Sequence, residues 1–148
     1  MKKGVLLFLL VCAVALGLCS CQNAEGHYAD RKIRIQVSHV SGFEVDAEYD
    51  VYLENIRVGE SFELPHGEAN LSYVVTVTIT DVKKDGITLS FSEPMDRIPE
   101  GDAKWETEIR SFQLIEGKTE RFVTPTDGGG DNFAFSLVPK DEIYDAIQ

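Results

Sequence analysis

Residues 32–54, Lys32-Ile33-Arg34-Ile35-Gln36-Val37-Ser38-His39-Val40-Ser41-Gly42-Phe43-Glu44-Val45-Asp46-Ala47-Glu48-Tyr49-Asp50-Val51-Tyr52-Leu53-Glu54, decide the fold class. Ile33, Ile35 and Val37 alternate with Lys32, Arg34 and Gln36. Phe43, Val45, Ala47, Tyr49, Val51 and Leu53 alternate with Glu44, Asp46, Glu48, Asp50, Tyr52 and Glu54. A period of two belongs to strands with one face on a core. Val40-Ser41-Gly42 fits a three-residue hairpin loop whose glycine takes the left-handed position. Pairing about that loop sets His39 opposite Phe43, Arg34 opposite Glu48, Lys32 opposite Asp50 and Gln36 opposite Asp46. Ile35 then meets Ala47 and Val37 meets Val45. A single register puts apolar on apolar and base on acid.

The same alternation recurs downstream. Glu60 to Leu64 reads as a short strand ended by Pro65-His66-Gly67. Leu71 to Val82 places Tyr73, Val75, Val77 and Ile79 on one face and threonines on the other. Lys83-Lys84-Asp85-Gly86 is a turn signal leading into Ile87, Leu89 and Phe91. Glu106 to Ile115 pairs, on this reading, through Glu116-Gly117-Lys118 with Thr119 to Thr124. Ile109 breaks the parity of Phe112 and Leu114, which points to a bulge near Arg110-Ser111. Asp131 to Val138 directs Phe133, Phe135 and Leu137 one way, and Asp141 is positioned to cap a short helical turn. Seven to eight short strands with regular turn signals predict an all-β antiparallel fold. A two-sheet β-sandwich of immunoglobulin-like architecture is the expected form, with a small barrel as the alternative.

The chain has a different character before residue 22. Lys2 and Lys3 precede an apolar run from Val5 to Leu18, which gives way abruptly to Gln22-Asn23-Ala24-Glu25-Gly26. That is the pattern of a secretory signal peptide, too short for a convincing membrane span. Leu18-Cys19-Ser20-Cys21 resembles the lipobox of bacterial lipoproteins, with Leu18 at minus three, Ser20 at minus one and Cys21 at plus one. The resemblance covers the first 21 residues and implies cleavage between Ser20 and Cys21, with a diacylglycerol on the Cys21 thiol. It therefore implies a protein of the bacterial cell envelope. Such a protein is lipid-anchored to the outer face of the cytoplasmic membrane or to the outer membrane. The expected organisation is a signal peptide over 1–20, a lipidated tether over 21–30 and one β domain over 31–148.

All three cysteines, Cys12, Cys19 and Cys21, lie in or at the end of the signal. Beyond it, disulfides, thiol catalysis and thiolate metal sites are excluded. Setting aside Lys2 and Lys3 leaves 12 bases against 25 acids, a net charge of -13. A surface this acidic repels phosphate backbones, so nucleic acid is no partner.

Three segments stand out as candidate sites. Glu44, Asp46, Glu48 and Asp50 form an acidic stripe suited to a basic partner. Met95, Ile98 and Trp105 lie in Glu93 to Trp105, the longest stretch without strand periodicity, where binding loops sit on β scaffolds. Asp127, Asp131 and Asn132 flank a glycine run and form a weak calcium candidate, lacking the EF-hand spacing. His27, His39 and His66 accompany no catalytic motif, so neither catalysis nor a cofactor is expected. The function predicted is a non-catalytic, lipid-anchored module that binds a protein of the envelope. A carbohydrate- or calcium-binding surface module is the alternative, and a hydrolase comes third.

Overall fold

The structure, a computed structural model, describes residues 26–41, 44–67, 73–125 and 129–142. Cys21 and the signal segment, Asp127 and the turn after Glu142 lie outside the described residues. Among the described residues, no helix is long and apolar enough to cross a membrane.

Eight strands form: β1 (Arg31–Ser41), β2 (Glu44–Leu53), β3 (Ser61–Glu63), β4 (Thr76–Lys83), β5 (Gly86–Arg97), β6 (Glu106–Leu114), β7 (Thr119–Val123) and β8 (Gly129–Pro139). The all-β, antiparallel expectation holds. The strands join in one sheet of order β2-β1-β8-β7-β5-β4-β3, with β6 added on β5. That sheet curls into a half-barrel around its core.

β1 is the spine. It pairs along its whole length with β8, from Arg31↔Pro139 to Ser41↔Gly129. Its alternate residues Ile33, Ile35 and Val37 are fully buried. On its other side the register differs from the sequence reading. Arg34 faces Tyr52, Val37 faces Tyr49 and His39 faces Ala47, while Ser41 faces Glu44. β1 thus continues through Val40 and Ser41, which the sequence reading assigned to a loop; residues 42 and 43 lie outside the described residues. From Ile33 to His39 the pairing slides by an even number of residues, so both strands keep their core face there; a bulge beyond His39 shifts the rest. Base still meets acid, with new partners: Arg34 Nε lies 3.0 Å from Asp50 Oδ2, and Lys32 Nζ lies 3.9 Å from Glu54.

β4 and β5 form the hairpin read from the sequence, with Lys83 opposite Gly86. β5 extends to Arg97, so Glu93 to Arg97 is strand rather than loop. The β5–β6 register does break between Ser111 and Ile109, as the parity of Ile109 indicates. The extra residues lie on β5, between Ser90 and Met95, opposite Arg110. The expected β6–β7 hairpin does not form. β6 pairs with β5, whereas β7 pairs with β8 and with the end of β5. Gly117, at φ +78°, turns the chain around a corner of the sheet. Phe112 and Phe122 consequently pack together with ring centroids 4.5 Å apart. Phe91 and Phe135 complete this aromatic centre.

The packed structure begins before β1. Tyr28 is 3% exposed, and its hydroxyl donates to the Lys83 carbonyl at 2.9 Å. Burial, then the charges of Asp85 and Glu116, raise its pKa above the ordinary phenol value of 10.0. Tyr49, Tyr52 and Tyr73 are raised as well, burial being the largest cause in each. For a group whose folded pKa is raised, stability is fully present below the unfolded pKa and is lost as pH rises through the folded value. Thermal melts are therefore expected to hold their midpoint to about pH 9 and to fall above about pH 10, near the reference phenol value. Tyr28→Phe loses one hydrogen bond, costing about 1 kcal/mol at neutral pH, and should flatten the alkaline decline. A decline of unchanged steepness in Tyr28→Phe would rule Tyr28 out as a contributor.

Candidate functional site

Three positions in the core-facing phase of their strands carry polar groups at one end of the half-barrel; two are buried and the third, Tyr49, is 41% exposed. His39 follows Ile33, Ile35 and Val37 on β1. Asp131 precedes Phe133, Phe135 and Leu137 on β8 and sits opposite His39. Tyr49 lies on β2 opposite Val37. His39 is 9% exposed and Asp131 2%. A buried polar group in such a place requires partners, and each has them. His39 Nδ1 is 2.5 Å from Asp131 Oδ1, and His39 Nε2 is 2.8 Å from the Tyr49 hydroxyl.

The carboxylate accepts, so Nδ1 donates to Asp131; Nε2 and the Tyr49 hydroxyl share the second bond, its direction set by the form of the ring. Asp131 Oδ1 also accepts from the Gly67 N–H at 3.0 Å. The Asp131 backbone closes a two-way link with Thr124: its N–H donates to the Thr124 hydroxyl at 3.0 Å, and its carbonyl accepts from the Thr124 N–H at 3.1 Å. One side chain thus ties β8 to β1, through β1 to β2, and across to the segment after β3. A Cβ on Gly67 would stand 3.1 Å from Asp131 Oδ1 and 3.2 Å from His39 Nδ1, which is why a glycine fits there.

Above this network opens a cleft of about 730 Å³, with Val40, Ser41, Asp46 and Ala47 on one wall and His66 and Gly67 on the other. His66 Nδ1 is buried and has no hydrogen-bond partner among the described residues. Tyr49, His39 and Asp131 are ordered as a hydroxyl–base–carboxylate relay. Burial and the Asp131 charge nevertheless raise the Tyr49 pKa, holding the phenol neutral and a weak nucleophile. The arrangement suits holding strands together better than attacking a substrate.

The acidic stripe is divided. Asp50 is half-buried against Arg34. Glu44, Asp46 and Glu48 are exposed and make no ion pair among the described residues. A bulge breaks their common face: His39 faces Ala47, yet Val40 faces Val45, so Asp46 is the extra residue. The bulge turns Asp46 toward the cleft and leaves Val45 61% exposed.

The patch around Trp105 is not assembled. Met95 is fully buried in the core and Ile98 is half-buried. Trp105 is 54% exposed. The calcium candidates are separated too. Asp131 points into the core with its carboxylate engaged by His39 and Gly67. Asn132, its neighbour in the strand, points to the other face. No group of three metal-ligating side chains occurs among the described residues.

His39, Tyr49 and His66 carry no motif, and sequence reasoning passed over them. A signal was present in parity: His39, Asp131 and Tyr49 each occupy the core-facing phase of their own strand. No family model, no curated protein and no solved structure matches this chain.

Proposed function

We propose that this chain is a non-catalytic, lipid-anchored module of the bacterial cell envelope that binds a protein partner. Its curled sheet serves as a β-sandwich-like body, with two walls meeting over the phenylalanine cluster. The observation that carries the reading is β2, a ten-residue strand at the end of the sheet, paired among the described residues only on its β1 side. Sheet edges of that length are normally covered or blunted, because unpaired N–H and C=O groups recruit another strand. Lipidation at Cys21 rests on the resemblance of Leu18-Cys19-Ser20-Cys21 to a lipobox. With Tyr28 in the core, only a few residues separate that cysteine from the packed domain, each spanning at most about 3.6 Å. The domain then works within a few nanometres of the bilayer.

Cys21→Ala is expected to move the protein from the membrane pellet to the soluble fraction. In cells carrying the native chain, photo-crosslinkers at Val45 and, separately, at Trp105 are expected to trap a discrete envelope protein from at least one position. Adducts from neither position would sink the binding reading. Carbohydrate capture is the second reading, favoured by the exposed Trp105 ring. It requires a glycan that quenches Trp105 emission, and an unresponsive glycan panel would end it.

A further inference from the structure

We propose that the partner is held by strand addition to β2, and that the added segment alternates basic and apolar residues; this rests on the protein-binding reading above. β2 and β3 are the two ends of the sheet path, and β2 is not paired with β3. Val51 and Leu53 of β2 and Phe62 of β3 pack on the core but remain partly exposed. Their apolar surface is incompletely covered where the sheet stops. An added strand meets that surface with one face and presents its other face to the outside.

Charge selects the occupant. Glu44, Asp46 and Glu48 on β2, and Glu60 and Glu63 at β3, have no ion-pair partner among the described residues. A second copy of this chain, pairing β2 on β2, would bring these acids against their own kind, and like charges across a strand pair are destabilising. Residues 143–148 carry Asp145 and no base, which disfavours them as the occupant. A segment with lysine or arginine at alternate positions meets Glu48 on the outer face of β2, and its net positive charge is favoured by the other uncompensated acids of the edge. The bulge at Asp46 and the acids guard the edge against self-association, while a basic strand escapes that guard.

The test uses the intact domain and a blocked decapeptide of alternating lysine and valine, with an alternating glutamate and valine peptide beside it. Amide chemical shifts in low salt should move along β2, for the lysine peptide alone. Glu44→Lys with Glu48→Lys, at two exposed positions, should weaken that peptide about tenfold and admit the glutamate peptide. Failure of the lysine peptide to bind, shifts confined to the loop at Trp105, or a β2-mediated dimer overturns the proposal. The in-cell crosslinks separate the two readings. Capture from Trp105 but never from Val45 discards strand addition while protein binding stands. Capture from neither removes both.

Discussion

Asp131→Ala is expected to lower the stability of the domain by about 3 kcal/mol, which for a domain of this size moves the thermal midpoint down by about 10 °C. The carboxylate is almost wholly buried and accepts from two donors, the His39 ring and the Gly67 N–H. Alanine leaves both donors in place with no acceptor. An orphaned buried donor costs its full desolvation, about 1–3 kcal/mol each. His39 then loses the group that fixes its tautomer, and its bond to Tyr49 loses its orientation. Asp131→Asn keeps one acceptor oxygen and should cost less than alanine. His39→Ala combined with Asp131→Ala should cost clearly less than the two added, because both sever one network. Thr124→Val isolates the other half of the link, removing the acceptor for the Asp131 N–H at a cost of about 1 kcal/mol. A midpoint for Asp131→Ala within about 2 °C of the native protein, the range of a neutral surface change, would mean that the network does not close this end of the half-barrel.

Fold class was legible because hydrophobic period is a local property. Ile33, Ile35 and Val37 reach zero exposure on the face that their alternation assigns. Pairing is not local, and there the reading failed in instructive ways. Every even slide of β2 along β1 preserves apolar on apolar, and in this sequence it keeps an acid within reach of Arg34 even where Tyr52 lies directly opposite. Alternation therefore could not choose between Arg34 opposite Glu48 and Arg34 beside Asp50. Turn length decides, and Gly42 is compatible with either loop. The β6–β7 connection failed differently: Glu116-Gly117-Lys118 marks a turn but does not say whether the chain returns in plane or rounds a corner. The break near Arg110 was visible in the parity of Ile109, although parity could not say which strand holds the extra residues.

The same contrast governs the site. Individual residues were seen, but assembly across strands was not. Glu44, Asp46, Glu48 and Asp50 looked like one stripe because a regular strand was assumed. One bulge residue moves Asp46 to the cleft and Val45 to the outside, and an ion pair withdraws Asp50. Met95 looked like surface because Pro94 interrupts the pattern, yet β5 continues through it and buries the methionine. His39 and Asp131 are 92 positions apart and meet only because β1 pairs with β8. Polar residues in a core-facing phase at strand ends are the trace such a network leaves in a sequence.

Phe122→Ala is expected to have the largest effect of any substitution in the core, about 3–5 kcal/mol. The ring is fully buried, with centroids 4.5 Å from Phe112, 5.0 Å from Phe91 and 5.9 Å from Phe135. It also carries the Arg97 guanidinium at 5.5 Å from its centroid. Phe122 sits on a strand of five residues that joins β8 to the end of β5, so its loss weakens the joint between two stretches of the sheet. Domains of this kind hold about 5–15 kcal/mol in total, and alanine here consumes a large share of it. Phe122→Leu should cost less than half as much, since it keeps most of the volume. Trp105→Ala, on the exposed ring, should stay within about 0.5 kcal/mol. Urea unfolding with an unchanged slope reads the three differences directly. A cost for Phe122→Ala no larger than that of Trp105→Ala would show that β7 is not packed against β5 and β6, and with it the curl of the sheet would fall.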